Sequence, residues 1–204
     1  MSHYFTDNRN LPTDRKEISF RFLGYDYIFV TDAGVFSKSE ADEGSLYLLE
    51  NVLEEDVNGE LLDIGCGYGL ISLVLKQRIP SLRVTGTDVN QRALDCANAS
   101  AKKMNLEAVF LLSDGTAVLD TTFDTVVSNP PIRTGKATVY RLFQEAHDIV
   151  RAGGAFYTVI RRQQGAASAK RELERIFGNV SVLYVKKGFE ILKSTKTIDK
   201  MAVV

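Results

Sequence analysis

The chain has 204 residues, 45% hydrophobic and 25% charged, which excludes collagen-like, low-complexity and disordered proteins. Its two cysteines are too few for a disulfide framework and favour a reducing compartment. No apolar run approaches the ~20 residues that span a bilayer, and the N-terminus lacks a signal-peptide pattern. We therefore expect a cytoplasmic protein with no membrane association.

The net charge of −1 hides an uneven distribution of charge along the chain. Residues 1–132 carry 11 Lys/Arg against 20 Asp/Glu, whereas residues 133–204 carry 14 against 6. A basic half is typical of proteins that bind polyanions, but solvated helix faces give the same counts. The charge pattern leaves both interpretations open.

The predicted elements begin with a β-hairpin and one amphipathic helix. Residues 17–32 alternate apolar and polar positions around Gly24, and residues 45–55 repeat apolar positions with a helical period. From residue 60 onward the pattern predicts strands at 60–64, 83–89, 108–114, 122–129 and 155–161, and helices at 70–79, 91–105, 137–151 and 166–178. Such alternation specifies a parallel sheet with helices on both faces.

The end of the chain predicts a departure from the parallel pattern. Strands at 180–187 and 189–196 are joined by Gly188 alone, and so short a connection permits only an antiparallel pair. We therefore expect an α/β fold with a seven-stranded, mostly parallel sheet and a reversed last strand. A small N-terminal β/α extension (1–57) would precede the main domain (58–204).

A glycine-rich turn follows the first strand of the alternating region. In LLDIGCGYGL (61–70), Gly65, Gly67 and Gly69 link strand to helix, and glycine suits a sharp turn that a ligand approaches closely. The third glycine comes one residue too early for the G-x-G-x-x-G pattern of dinucleotide-binding proteins. The stretch, opened by Asp63, instead resembles motif I of the class I S-adenosylmethionine-dependent methyltransferases. That resemblance implies a Rossmann-like fold, with Asp63 helping to hold the methionine ammonium, often through water.

Carboxylates follow the next two strands. Asp88 lies 19 residues after Gly69 at the end of a strand, where it can accept hydrogen bonds from both ribose hydroxyls. NAD enzymes use an acidic residue similarly, and a helix N-cap would look the same. The methyltransferase resemblance implies that Asp114, with Ser113 beside it, contacts the adenine amino group, although Asp-Gly is also a common turn.

The segment SNPPIRTGK (128–136) follows the strand at 122–129. Prolines fix φ and donate no N–H, so the carbonyls of Asn129-Pro130-Pro131 are expected to be free to accept. The segment resembles motif IV of the amino methyltransferases, which alkylate exocyclic or amide nitrogens. The resemblance implies that the Asn129 side-chain oxygen and the Pro130 carbonyl accept both hydrogens of the target amine. This would direct the nitrogen lone pair towards the methyl group without a strong base, so that alignment supplies most of the rate.

NPPIRTGK, together with DAGVFSKSEADEGS upstream, resembles the RsmC-type small-subunit ribosomal RNA methyltransferases in their single-domain form, over about residues 20–204. Those enzymes methylate the exocyclic amine of a guanine. The resemblance implies that the loop with Phe36 and Ser37 covers the cofactor pocket, and that Arg133 and Lys136 lie beside the target nucleotide. Ile132 departs from the aromatic residue usual in the adenine and glutamine branches, and offers a base only apolar contact.

The candidate site is thus defined by residue. The expected catalytic residues are Asn129, Pro130 and Pro131. The expected cofactor-binding residues are Asp63, Gly65, Cys66, Gly67, Gly69, Asp88, Val89, Ser113, Asp114 and Asn129. The expected substrate-binding residues are Phe36, Ser37, Ile132, Arg133 and Lys136.

The expected function is transfer of a methyl group from S-adenosylmethionine to a guanine amine of small-subunit (16S) ribosomal RNA, free or in the subunit. No metal-ligand spacing occurs in the sequence, so no metal is expected. Three alternatives stay open: a glutamine-amide methyltransferase, an NAD-dependent oxidoreductase, and a non-catalytic RNA-binding or assembly protein.

Overall fold

The computed structural model describes residues 14–32, 35 and 41–198. The strands are β1 (Lys16–Phe22), β2 (Tyr25–Thr31), β3 (Glu60–Ile64), β4 (Arg83–Asp88), β5 (Val109–Leu112), β6 (Phe123–Ser128), β7 (Val150–Arg161), β8 (Ser181–Lys186) and β9 (Phe189–Thr195). The helices are α1 (Glu43–Val52), α2 (Leu70–Arg78), α3 (Gln91–Met104), α4 (Lys136–Ile149) and α5 (Ala166–Phe177). No helix within the described ranges is long and apolar enough to cross a lipid bilayer.

Seven strands form one sheet in the order β5-β4-β3-β6-β7-β9-β8, and β1 pairs with β2 in a separate hairpin. Strands β3 to β7 pair in parallel, whereas β9 runs antiparallel to both β7 and β8. The mostly parallel sheet with a reversed last strand is therefore confirmed, and the reversed strand lies inside the sheet rather than at its edge. Lys187 and Gly188 both have positive φ in the connecting turn, as tight hairpins require.

Each face of the sheet has its own apolar cluster, because successive side chains of a strand point to opposite faces. Leu61 and Val127 belong to the cluster shared with β1, β2, α1, α2 and α3. Their neighbours Leu62 and Val126 belong to the cluster shared with α4 and α5. Helices cover both faces, as the sequence predicts.

The hairpin and α1 pack against the rest of the fold. The Ser100 hydroxyl on α3 accepts a hydrogen bond from the Val30 N–H at 2.9 Å, and Arg92 on α3 pairs with Asp32 at 2.8 Å in a buried contact. Helix α1 packs against β7, β9 and α2. The division of the chain between residues 57 and 58 stays a prediction.

Strand β7 begins earlier than the sequence indicates. Gly153-Gly154 suggests a break before a strand at 155–161, but β7 starts at Val150. The glycines lie where its register with β6 shifts, and the Gly153 N–H donates to the Lys196 carbonyl at 2.7 Å. A Cβ at Gly154 would come within 2.6 Å of the Asp124 carbonyl oxygen, so only glycine fits there. The two glycines therefore permit a bulge within β7, at a position where they suggested an end of regular structure.

Candidate active site

A cavity of about 690 Å³ opens at the carboxyl ends of the central strands. The chain passes outward from β3 to β4 and β5, then returns to the other side of β3 with β6. Ligands of open α/β sheets bind at such a reversal of strand order. Residues following β3, β4, β5 and β6 line the cavity, together with residues at the start of α1 and at the end of β7.

The glycine turn after β3 forms one wall of the cavity. Gly65 and Gly67 have φ of +75° and +56°, a region that only glycine occupies at little cost. The N–H groups of Gly65 and Cys66 donate to the Thr87 carbonyl at 2.8 and 2.9 Å, which fixes the turn against β4. A Cβ built on Gly65 or Gly67 would meet nothing within 4 Å, so both glycines border open space.

Cys66 lines the cavity, but its thiol is buried. Burial raises the pKa of the Cys66 thiol, and the nearby carboxylates of Asp88 and Asp63 raise it further. Gly86 makes room for this side chain, because a Cβ there would lie 2.9 Å from the Cys66 sulfur. The residue therefore acts as a small packing group, since its thiolate is strongly disfavoured.

Asp88 ends β4 and faces the cavity beside the glycine turn. Its carboxylate accepts hydrogen bonds from the backbone N–H groups of Gly67 and Asn90, each at 2.8 Å. Burial raises the pKa of Asp88, while these backbone hydrogen bonds act to lower it. The next residue, Val89, lines the cavity with an exposed apolar side chain.

Polar groups without a partner lie on the cavity wall near β4 and β5. The hydroxyls of Thr87 and Ser113 are buried and hydrogen-bond to no described residue. Asp114 lines the cavity and pairs with Arg141 of α4 at 2.6 Å. Buried hydroxyls of this kind usually find a partner, so a polar ligand fits this wall.

The segment after β6 adopts a compact turn. Pro131 has φ −74° and ψ 76°, the geometry of an inverse γ-turn, and Ile132–Thr134 then form a short 3-10 helix. The sequence suggested a free Pro130 carbonyl, and this prediction is wrong, because the Ile132 N–H donates to that carbonyl at 2.8 Å. The Pro131 carbonyl accepts from the Thr134 N–H at 3.0 Å and from the Thr134 hydroxyl at 2.7 Å. A carbonyl oxygen has two lone pairs, so Pro130 still has one to offer a ligand.

Asn129 has its side-chain amide fixed in one orientation. The amide nitrogen donates to Asp42 at 2.8 Å and to the Ser45 hydroxyl at 2.9 Å, which uses both of its hydrogens. Asn129, Asp42 and Ser45 all line the cavity. Among the described residues, none donates to the Asn129 side-chain oxygen. The amide therefore presents a hydrogen-bond acceptor to the cavity.

Two of the predicted cofactor residues lie behind the cavity wall. The Asp63 carboxyl is fully buried and accepts hydrogen bonds from the Ser72 hydroxyl at 2.6 Å and the Ser72 N–H at 3.1 Å. Burial raises the pKa of Asp63 to about 7, against the lowering effect of these hydrogen bonds. Gly69 is enclosed by side chains of Ala97, Leu73 and Phe110, each 3.2–3.3 Å from the position of a Cβ.

The predicted substrate residues divide into three groups. Ile132 and Arg133 line the cavity, whereas Lys136, at the start of α4, does not. Phe36 and Ser37 lie outside the described residues. No group of three or more His, Cys, Asp or Glu in the described ranges is placed to hold a metal ion.

The structure adds Asp42, Ser45, Arg161 and Phe189 to the site. Arg161 ends β7, and its guanidinium lies 4.2 Å from the centre of the Phe189 ring. An Asp before an amphipathic helix signals an N-cap, but nothing local connects Asp42 with Asn129, 87 residues away. None of the four was predicted as a site residue, although Asp42 and Ser45 end the segment DAGVFSKSEADEGS, because only the fold brings them to the cavity.

Basic residues of the positively charged part of the chain (133–204) are partly neutralised within the fold. Arg162 and Lys170 both pair with Glu190, each at 2.8 Å, and Lys187 pairs with Glu43 at 2.7 Å. The hydrogen bond from Lys187 lowers the pKa of Glu43, and the charge of Arg161, which also lies near this acidic group, helps to lower it. The positive charge available at the cavity is therefore smaller than the count of basic residues implies.

Class I S-adenosylmethionine-dependent methyltransferases have this sheet, in which the reversed strand lies beside the parallel ones. The fold of this chain, with its glycine turn at the point where the strand order reverses, places it in that class. The family model of the methyltransferase small domain matches residues 26–193, and the chain belongs to that family. Its cofactor is S-adenosylmethionine. The NAD-dependent alternative is thereby excluded.

Relatives of this chain include small-subunit ribosomal RNA methyltransferases. It is 38% identical to an uncharacterized Bacillus subtilis protein, YbxB, over 95% of this chain and 98% of that one. It is 34% identical to ribosomal RNA small subunit methyltransferase C of Proteus mirabilis, over 80% of this chain and 48% of that protein. The chain thus spans about half the length of that methyltransferase.

Solved structures show the same fold. The 16S rRNA N2-guanine methyltransferase RsmC of T. thermophilus, in complex with AdoMet and guanosine, superposes with a TM-score of 0.82 at 30% identity. The match covers 91% of this chain and 52% of that one. A methyltransferase of Pyrococcus furiosus superposes with a TM-score of 0.66 at 20% identity, over 81% and 91% of the two chains. The Rossmann-like, RsmC-like fold is therefore confirmed.

Proposed function

We propose that this methyltransferase acts on an exocyclic amino nitrogen of guanine in small-subunit ribosomal RNA. The observation that carries the proposal is the Asn129 amide, whose two hydrogens are held by Asp42 and Ser45. An acceptor oxygen fixed at the cavity matches a target that donates two hydrogens. RNA, free or in the small ribosomal subunit, would be the partner, which agrees with a cytoplasmic location.

The residues around the glycine turn are proposed to hold the cofactor. The Asp88 carboxylate would accept from the ribose hydroxyls, while Ser113 and Asp114 would contact the adenine. Gly65 and Gly67 leave the space that the cofactor would approach. Asp63 lies behind the turn and would act on the methionine ammonium through water.

The target amine would be aligned by acceptors alone. Bound S-adenosylmethionine supplies a methyl group on a positively charged sulfur. The Asn129 side-chain oxygen and the remaining lone pair of the Pro130 carbonyl would each accept one hydrogen of the target NH2. This holds the nitrogen lone pair in one direction, and such alignment is worth effective molarities of ~10⁵–10⁸ M. The nitrogen releases its proton to solvent after alkylation, so the site needs no strong base.

Two observations support a nucleic-acid target over a protein glutamine. Arg133 and Arg161 line the cavity and could contact phosphate. The relatives named small-subunit methyltransferase C act, by name, on ribosomal RNA.

The test is transfer of a labelled methyl group from S-adenosylmethionine. The acceptors are small ribosomal subunits, their naked RNA and a protein extract, all from cells lacking the gene. Label released from RNA as a methylated guanine would support the proposal. Label in protein would replace it with the glutamine-amide function, and no label in any fraction would favour a non-catalytic RNA-binding or assembly role.

Two variants separate alignment from cofactor binding. Asn129→Ala should remove most turnover, by about 100-fold or more, with the Kd for S-adenosylhomocysteine within a few-fold of wild type, because it removes an acceptor for the target amine. Asp88→Ala should weaken cofactor binding first, because a charged hydrogen-bond acceptor is lost. Asn98→Ala and Asp95→Ala, on the outer part of α3, are matched controls and should leave both measurements unchanged. Equal loss of cofactor binding in Asn129→Ala and Asp88→Ala would contradict this division of roles.

A further inference from the structure

We propose that Asp42 is a positioning residue that holds the Asn129 amide with its oxygen towards the target amine. This inference rests on the proposed function, because it assigns a task to the same acceptor. It draws the N-terminal extension into the reaction, since Asp42 lies 87 residues before Asn129 in the chain.

The geometry allows only one amide orientation. One oxygen of Asp42 accepts from the Asn129 amide nitrogen and from the Ser45 N–H, each at 2.8 Å. A carboxylate can only accept, so the group that faces it must be the NH2 of Asn129. The Ser45 hydroxyl, which could accept or donate, is 2.9 Å from the same nitrogen. Asp42 therefore decides the orientation, and Ser45 supports it.

Reversal of the amide would disable the acceptor. If the amide turned by half a rotation, its oxygen would face the Asp42 carboxylate, and its NH2 would face the NH2 of the target. Both new contacts are unfavourable, one between two acceptors and the other between two donors. If the Asn129 amide could adopt both orientations, a fraction of the enzyme molecules would thus lack an acceptor for the target amine.

Asp42 is held by a well-packed helix terminus. Asp42 is the N-cap of α1, and Ser45 in the first turn is buried. Gly44 lies so close to Phe189 that a Cβ there would be 2.9 Å from the ring. Because α1 also packs on β7 and β9, the carboxylate is held at a fixed distance from the end of β6.

The variants are chosen to separate positioning from helix capping. Asp42→Asn keeps an oxygen that can accept from both donors, whereas Asp42→Ser keeps a cap for α1 but shortens the side chain, so that it no longer reaches Asn129. We expect Asp42→Ser to lower kcat about 10- to 100-fold, with the Kd for S-adenosylhomocysteine within about twofold. Asp42→Asn should recover at least part of that loss. Glu43→Gln, in the same helical turn, is the control and should leave kcat unchanged.

A double variant supplies the decisive comparison. In the Asn129→Ala background, Asp42→Ser should lower kcat no further, because the group that it positions is already gone. Losses that multiply in the double variant would overturn the proposal. So would an unchanged kcat in Asp42→Ser with native circular dichroism.

A measurement without substrate keeps this inference distinct from the proposed function. In the ¹⁵N-labelled protein, the two side-chain amide protons of Asn129 should have well-separated chemical shifts and should exchange slowly with solvent. In Asp42→Ser, the shift separation and the slow exchange should both be lost. Unchanged amide resonances in Asp42→Ser would refute the positioning role. If the wild type methylates no RNA, the proposed function fails, and these resonances still decide whether Asp42 holds the amide.

Discussion

Alanine at two glycines of the same turn should affect stability and cofactor binding to different extents. Gly65 and Gly69 both have strongly positive φ, +75° and +85°, so each substitution carries about 1–2 kcal/mol of backbone strain. A Cβ at Gly65 meets nothing within 4 Å, and strain is then the main cost to folding. A Cβ at Gly69 lies 3.2–3.3 Å from three enclosed side chains, and overpacking adds about 1–3 kcal/mol. We expect the free energy of unfolding to fall by about 1–2 kcal/mol in Gly65→Ala and by about 2–5 kcal/mol in Gly69→Ala.

Cofactor binding should show the reverse order. The new methyl group of Gly65→Ala would project into the open space that the cofactor is proposed to approach, and should raise the Kd on the order of tenfold or more. Gly69 does not line the cavity. Under conditions in which Gly69→Ala is folded, its Kd for S-adenosylhomocysteine should therefore be close to that of the wild type.

Urea denaturation of the cofactor-free proteins and calorimetric titration with S-adenosylhomocysteine measure the two effects separately. Both variants add one methyl group at a positive-φ position of the same turn, so each serves as the control for the other. Equal losses of stability would refute the packing argument at Gly69. Unchanged cofactor affinity in Gly65→Ala would refute the assignment of the glycine turn as the cofactor wall.

Two further expectations concern buried charge. The pKa of Asp63 is raised from 3.8 to about 7 by burial, so its neutral form favours the folded state, and the stability that it contributes below about pH 4 should be lost as pH rises through 7. Denaturation midpoints between pH 4 and 8 should therefore fall less steeply with pH in Asp63→Asn, and parallel curves would refute this assignment. Asp32→Ala should destabilise the fold by about 3–5 kcal/mol, because it removes the buried partner of Arg92. Glu17→Ala, which breaks the exposed pair with Lys103, should cost under about 1 kcal/mol, and similar unfolding free energies for the two would contradict the buried-charge argument.

Features that depend on neighbouring residues were predicted from the sequence. The alternation of strands and helices, the turn at Gly65 and the acid at the end of β4 all follow from local patterns and backbone preferences. The reversal of the last strand followed from the length of a single connection. Its position between β7 and β8 did not, because strand order depends on which strand edges pack together.

Local rules were least informative where the backbone is irregular. Gly153-Gly154 signals a break, but the glycines permit a bulge within β7, since Asp124 approaches too closely for a side chain. The prolines after Asn129 suggested free carbonyls, but the turn they impose brings the Ile132 N–H onto the Pro130 carbonyl. A residue type fixes what a position permits, while the folded chain decides which partner it meets.

The sequence by itself determined the class of fold, the glycine turn after β3 and the stiff Asn-Pro-Pro segment after β6. Those features are encoded within short stretches, where φ preferences and side-chain periodicity act directly. Only the tertiary structure decided that Asp63 lies behind the cavity, that Arg161 covers Phe189 and that Asp42 accepts a hydrogen bond from the Asn129 amide. These contacts join residues that are distant in the chain, and they form only when helices and strands pack into one core.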